Sequence, residues 1–198
     1  MSKQGVDRAR RRLLVMTSGI GAAGVVGITV PFVTSMLPSA RAMAAGEPVE
    51  VDISNIESGM KLTVEWRGKP VWILRRTREM LANLEKIEPR LADPTSQESI
   101  QPAYVDPENR ASKEEYLVVV GICTHLGCSP KDRLEAGSVS GLGADWLGGF
   151  FCPCHGSTFD LAGRVFKDVP APTNLVVPPY RFLSDSRIIV GEDEKGAA

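Results

Sequence analysis

The stretches Cys123-Thr-His-Leu-Gly-Cys128 and Cys152-Pro-Cys-His-Gly-Ser157 decide the fold, because together they contain all four cysteines and both histidines of the chain. Six such residues scattered at random over 198 positions would not fall inside two windows of six residues. Thiolate and imidazole groups are preferred ligands of transition metals. The two stretches, called box 1 and box 2 from here on, therefore indicate a metal site.

The residues alone leave three arrangements of these side chains open. A structural zinc site is usually closed by four sulfur or nitrogen ligands, so six candidates are too many for one zinc. Two plain disulfides suit an exported protein, but they give the histidines no reason to lie among the cysteines. A pair of irons held by two cysteines and two histidines, with the other two cysteines bonded together, would use all six.

Both boxes resemble those of the Rieske [2Fe-2S] proteins, and the additional cysteine in each box is similar to the quinol-oxidising branch found in cytochrome bc complexes. Rieske oxygenases resemble the chain less, since their boxes generally carry only the four ligands. The resemblance implies one cluster per chain and a disulfide beside it. The implied iron ligands are Cys123, His125, Cys152 and His155, and the implied disulfide joins Cys128 to Cys154.

The resemblance also assigns roles around the cluster. Neutral imidazole ligands lift the potential of such a cluster to about −150 to +300 mV, against about −400 mV for plant-type ferredoxins. In the family, a ligand histidine at the surface accepts the hydrogen bond of the quinol hydroxyl, so His155, with His125 beside it, is the expected catalytic residue. Ser157 matches a serine that bonds a cluster sulfide, although a plain turn hydroxyl is the alternative.

Three further positions can be compared with the family. Leu126 matches a leucine exposed at the docking tip, where the alternative is a core leucine. The segment Pro170–Pro172 is similar to a proline loop that covers the cluster, where the alternative is an ordinary surface turn. Phe159 stands where many members have a tyrosine that bonds a ligand sulfur. We therefore expect a lower potential than in tyrosine-bearing relatives.

The N-terminal region predicts a membrane anchor. Residues 1–12 carry five basic side chains and one aspartate, whereas residues 13–37 carry no charge, which is long enough for a transmembrane helix. The charge distribution places the N-terminus in the cytoplasm and the head in the periplasm, with a single pass through the inner membrane. Arg10 and Arg11 resemble a twin-arginine export signal. Residues 42–44 have the small-x-small form of a cleavage site, but we expect the anchor to be retained.

Residues 38–48 are small or polar and predict a flexible tether, while residues 49–198 predict a mostly β head of antiparallel strands. The expected strands include residues 61–66 and 71–75 around a turn at 67–70, a buried strand at 116–122, and a closing hairpin at 180–190. Thr77 is expected to cap a helix, and the polar residues 90–115 to form a surface loop. The cluster-binding subdomain is expected at about 121–175, inserted between strands.

The resemblance implies the iron-sulfur subunit of a quinol:cytochrome c reductase, an oxidoreductase subunit that is not catalytic by itself. Cytochrome b, a c-type cytochrome and quinol are the implied partners, and the complexes of the family are dimers. One alternative is the small subunit of an arsenite-type oxidase, and another is a membrane-tethered zinc module. Only the N-terminus is basic in a chain of net charge −1, so no nucleic-acid partner is expected.

Overall fold

The computed structural model describes residues 7–39 and 46–193, which belong to two compact units. The first unit contains helix α1 (Arg8–Ser35), capped by the Asp7 carboxylate, which accepts hydrogen bonds from the backbone N–H groups of the first turn. Within the described residues, α1 is the one helix that is long and apolar enough to cross a membrane. The proposed cleavage site at 42–44 and most of the tether lie outside the described residues.

The second unit is the head, whose described part consists of three antiparallel sheets of three strands each. The strand orders are β1-β9-β8, β2-β3-β4 and β5-β6-β7. The strands are β1 (Val49–Asp52), β2 (Lys61–Trp66), β3 (Lys69–Arg75), β4 (Tyr116–Val120), β5 (Lys131–Arg133), β6 (Gly149–Phe151), β7 (Thr158–Phe159), β8 (Tyr180–Phe182) and β9 (Arg187–Val190). Helix α2 (Arg78–Ile87) follows β3, and short 3-10 helices occupy Glu88–Arg90 and Ser138–Ser140.

Local sequence patterns explain most of these elements. Val51 is buried between the exposed Glu50 and Asp52, as the alternation in β1 predicts. Thr77 caps α2 by accepting a hydrogen bond from the N–H of Met80, which confirms the expected helix start. The mostly β head with its N-terminal apolar helix is likewise confirmed.

The hairpin between β2 and β3 is tighter than predicted. Trp66 pairs with Lys69, so the turn contains only Arg67 and Gly68, both with positive φ (52° and 68°). Two consecutive residues with positive φ form a type I′ turn, whose twist matches that of the flanking strands. Pro70, expected in the turn, instead lies near the start of β3, where its missing N–H is tolerated.

The sheet β5-β6-β7 lies in the chain between β4 and β8, and it carries box 2 between β6 and β7. Trp72 of β3 stacks on Phe150 of β6 with ring centroids 4.9 Å apart, and both rings are buried. An aromatic pair of this kind joins the sheet that leads into box 1 to the sheet that leads into box 2.

Most of residues 90–115 form a loop at the surface, as the composition suggested, but several positions anchor it in the head. Leu91 pairs with Phe166 through an isolated bridge, and Val105 and Arg110 are buried. Arg110 donates to the backbone carbonyls of residues 162 and 163, and burial lowers its pKa to about 10. The composition did not reveal this anchoring, because polar residues are usually exposed, whereas these have partners in distant parts of the head.

Candidate metal centre

The two boxes share one pattern of backbone hydrogen bonds. In box 1, the N–H of Cys123 donates to the carbonyl of Cys128 at 2.7 Å, and the N–H of Gly127 donates to the carbonyl of Cys123 at 3.1 Å. In box 2, the corresponding bonds run from Cys152 to Ser157 at 2.8 Å and from Gly156 to Cys152 at 3.0 Å. Each box is therefore a closed loop that holds its first cysteine at the base.

The fifth residue of each box is glycine for a conformational reason. Gly127 has φ 84° and Gly156 has φ 79°, which is the left-handed region that other residues rarely adopt. The loops close through these residues, since their N–H groups bond back to the first cysteine. The glycines of the two motifs are thus required by the loop geometry.

A disulfide between Cys128 and Cys154 joins the two loops, as the resemblance implied. The sulfur of Cys152 lies within 4.8 Å of both disulfide sulfurs. These three sulfurs do not form a ligand set, because two of them are bonded to each other. The free thiols of the described chain are Cys123 and Cys152, and both are buried.

The four predicted ligand side chains occur as two pairs, and the thiols of Cys123 and Cys152 are neighbours. The rings of His125 and His155 lie edge to face with centroids 4.7 Å apart. His155 is exposed and His125 half-buried, whereas both free thiols point into the interior. The site therefore has a sulfur side facing the core and an imidazole side facing solvent.

The electrostatics of the thiols follow from this burial. Burial raises the pKa of the Cys123 thiol, and the neighbouring Cys152 thiol raises it further, while the N–H of His125 and the hydroxyl of Ser157 act in the opposite direction. Two thiols held close together in the core are costly to ionise unless a cation neutralises them.

The donor set fits a Rieske cluster. Two buried free thiols and two adjacent imidazoles match the His₂Cys₂ ligand set of such centres. Moreover, Nδ1 of His125 is buried and has no hydrogen-bond partner in the protein. A buried polar nitrogen without a partner is costly, and a metal ligand bond would satisfy it.

One side chain of each box bonds the proline segment (Pro170–Pro172) or the residue that follows it. The fully buried Ser157 hydroxyl accepts a hydrogen bond from the N–H of Ala171 at 3.0 Å. The hydroxyl of Thr124, within box 1, donates to the carbonyl of Thr173 at 2.6 Å. Sequence reasoning missed Thr124, although a hydroxyl residue between two ligands of a box was a visible signal.

Two other predicted positions are also described. Leu126 is 71% exposed, so the core-leucine alternative is wrong. Phe159 is fully buried in β7 and pairs with Phe150 in the neighbouring strand.

Family models match two parts of the chain. A model described as "Rieske [2Fe-2S] domain" matches residues 100–181. A second, described as "Ubiquitinol-cytochrome C reductase Fe-S subunit TAT signal", matches residues 1–39. The matched regions contain both boxes and helix α1, respectively.

Curated relatives match over nearly their whole length. The chain is 59% identical over 198 residues to the "Ubiquinol-cytochrome c reductase iron-sulfur subunit" of Allochromatium vinosum. This alignment covers 100% of this chain and 95% of the relative. It is 43% identical over 194 residues to the protein of the same name from Blastochloris viridis, with 96% and 98% covered. A solved chain described as "Hyperthermophilic respiratory Complex III" aligns at 24% identity with a TM-score of 0.45, covering 88% of this chain and 97% of its own.

Proposed function

The chain belongs to the Rieske iron-sulfur subunits of ubiquinol-cytochrome c reductase, and from this membership we propose that it oxidises quinol at the outer quinol site of cytochrome b and passes the electron to a c-type cytochrome. It is a Rieske [2Fe-2S] electron carrier and a component of an oxidoreductase complex. Cytochrome b and the c-type cytochrome are the proposed partners, in a complex that is dimeric.

The observation that carries this proposal is the polarity of the site. Two free thiols are buried while an imidazole pair faces outward. Cys123 and Cys152 are the proposed ligands of one iron, and His125 and His155 are those of the other. An electron carrier needs its metal shielded from water yet reachable by a partner, and this arrangement supplies both.

Each surrounding residue has a defined task in this mechanism. A [2Fe-2S] group with two imidazole ligands supplies one-electron acceptance at about −150 to +300 mV, which suits quinol. His155 is exposed, so with a cluster bound its free ring nitrogen would accept the hydrogen bond of the quinol hydroxyl and would take up the proton. The Ser157 hydroxyl would donate a hydrogen bond to the cluster. The exposed Leu126 provides an apolar contact with the partner.

Helix α1 is proposed to anchor the head in the inner membrane. Its 28 residues are sufficient for a bilayer, and its apolar side chains are exposed. The basic residues before it orient the N-terminus toward the cytoplasm and the head toward the periplasm. The proposed divisions are a cytoplasmic N-terminus at 1–12, a membrane span at 13–37, a tether at 38–48 and a head at 49–198, whose cluster-binding part is about 121–175. The tether would let the head move between its partners.

The test is an EPR spectrum of reduced membranes containing the full-length protein, recorded with and without an inhibitor of outer-site quinol oxidation. We expect a Rieske-type signal that responds to the inhibitor, together with b- and c-type haem in the purified complex. A signal indifferent to the inhibitor, in a preparation without b-type haem, would place the chain in another oxidoreductase. Zinc in place of iron and acid-labile sulfide would exclude electron transfer altogether.

A matched pair of variants separates docking from cluster assembly. Leu126→Ala removes the exposed side chain at the tip of box 1 (71% exposed), whereas Val139→Ala removes an apolar side chain that is more exposed (80%) and lies outside both boxes. We expect Leu126→Ala to slow quinol oxidation at least tenfold with normal iron content, since about 1.4 kcal/mol of lost contact is a factor of ten. Equal rates in the two variants would reject docking through Leu126.

A further inference from the structure

Asn174 is a buried residue next to the proline segment, and its side chain connects distant parts of the head. It is 1% exposed. Its Oδ1 accepts a hydrogen bond from the N–H of Val165 at 2.8 Å. Its Nδ2 donates to the carbonyl of Asp93 at 2.9 Å and to the hydroxyl of Ser96 at 3.1 Å, and its backbone N–H donates to the hydroxyl of Ser99 at 3.1 Å.

The other end of this connection is a turn that is closed by its own side chain. Oδ1 of Asp93 accepts from the N–H of Gln97 at 2.7 Å. Oδ2 accepts from the N–H of Glu98 at 3.1 Å and from the hydroxyl of Ser99 at 2.6 Å. A carboxylate with three donors fixes the turn at 93–99. Asn174 is thus bound to a preformed anchor outside both boxes.

From Asn174 the connection continues directly to the boxes. The preceding residue, Thr173, accepts through its carbonyl the hydrogen bond of Thr124 in box 1. Ala171 donates its N–H to Ser157 in box 2. Successive Cα atoms are only about 3.8 Å apart, so a displacement of Asn174 must move these two backbone groups as well.

We propose that Asn174 is a positioning residue for the iron-sulfur centre, because it locks the proline segment to the turn at 93–99 and so holds the hydroxyls of Thr124 and Ser157 in place. The proposal rests on the proposed function, since it requires a cluster on the two boxes. It also gives residues 93–99 of the long polar segment a task.

The expected direction of the effect follows from Ser157. Because its oxygen accepts the Ala171 N–H, its own proton is directed elsewhere and is available to a cluster sulfur. Hydrogen bonds to the sulfurs help to set the reduction potential, and they stabilise the more negative reduced cluster. When the proline segment loosens, this bond weakens and the potential should fall.

The test is Asn174→Ala in the full-length, membrane-bound protein. We expect a fall of up to tenfold in the reduction equilibrium constant, which for a one-electron couple is about 59 mV, together with shifted or broadened EPR lines. Amide hydrogen exchange at Ala171 should accelerate at least tenfold in hydrogen-exchange mass spectrometry. This last readout does not depend on enzyme activity.

Asn83→Ala is the matched control. Asn83 is also buried (5% exposed), donates to the carbonyl of Leu147 and accepts from Lys86, but makes no hydrogen bond with the proline segment. We expect it to lower thermal stability with unchanged potential and EPR lines. Ser99→Ala is a second variant, which removes one bond to Asn174 and one donor to Asp93, and it should shift the potential in the same direction.

The outcomes are distinct. A wild-type potential, spectrum and exchange rate in folded Asn174→Ala, or in Ser99→Ala if the first variant does not fold, would overturn the positioning role. The same holds if Asn83→Ala shifts the potential as much as Asn174→Ala does. The proposed function is tested separately by the iron content of the wild-type protein. A wild-type protein without iron would overturn that function.

Discussion

Gly121 has no room for a side chain, and Gly121→Ala tests the packing beneath the boxes. A Cβ added there would lie 2.1 Å from Cε2 and 2.4 Å from Nε1 of Trp72. Ordinary contact begins at 3.4 Å, so the ring must move by 1.3 Å, the difference between 3.4 and 2.1 Å. Trp72 is buried and stacked on Phe150, so no free space lies beside it.

The cost of Gly121→Ala can be derived from this overlap. Overpacking a core costs about 1–3 kcal/mol, and disrupting an aromatic pair costs about 0.5–1.5 kcal/mol more. The expected total of about 1.5–4.5 kcal/mol corresponds to a thermal midpoint lower by roughly 3–18 °C for a chain of this size. The assay is thermal unfolding of the detergent-solubilised full chain, followed by circular dichroism, with iron content as a second readout.

The double variant Gly121→Ala/Trp72→Phe tests the cause. A phenyl ring lacks the indole atoms nearest to the added methyl group, so the second substitution should recover part of the stability lost in the first. The coupling energy should therefore be favourable by about 1 kcal/mol or more, as is measured for residues in contact. Strictly additive destabilisation, or a Gly121→Ala protein with the wild-type midpoint, would refute the steric argument.

Three further predictions concern the boxes and the sheet beside them. Phe159→Tyr should raise the reduction potential, because a hydroxyl is added next to the ligand loops; a redox titration without a rise would reject the role given to this position. Replacing both Cys128 and Cys154 by alanine removes the disulfide, which joins residues 26 positions apart. This should lower the free energy of unfolding by about 3.5 kcal/mol and reduce the iron retained per chain. Tyr180→Phe removes the hydrogen bond from the N–H of Ser112, and because Ser112 is exposed to water, the cost should be about 0.5–1.5 kcal/mol. Burial raises the pKa of Tyr180 above the ordinary 10.0, so the folded state keeps the neutral phenol. The stabilising contribution of Tyr180 is present below pH 10 and is lost as the pH rises through the raised pKa. The melting temperature of Tyr180→Phe should therefore fall less at alkaline pH than that of the wild type.

Local patterns in the sequence predicted a large part of the fold. The alternation around Val51, the cap at Thr77 and the closing hairpin are each set by neighbours within a few residues, and all three are confirmed. The pairing of Cys128 with Cys154 was implied by resemblance and is present. The arrangement around these cysteines could be anticipated because the boxes carry their own closing bonds and glycines.

The remainder depends on partners that are remote in sequence. Arg76 donates to the carbonyl of Leu161, 85 positions away, and burial lowers its pKa to about 10. Asn174 bonds Asp93, 81 positions away. A polar residue in isolation is expected at the surface, and nothing in its local pattern reveals a buried partner. The local sequence therefore predicts neither the buried positions within residues 90–115 nor the partners of Asn174.

Several contacts hold the two boxes and the strands that lead into them together. The disulfide joins the boxes directly, and the rings of His125 and His155 meet edge to face. The buried ring of Trp72 lies against Gly121 and Phe150, which precede the boxes. The backbone groups of Ala171 and Thr173 bond one hydroxyl of each box. Removing one connection should therefore perturb the centre moderately. Removing two should perturb it by more than the two single effects combined, because residues that share one packed unit are not independent.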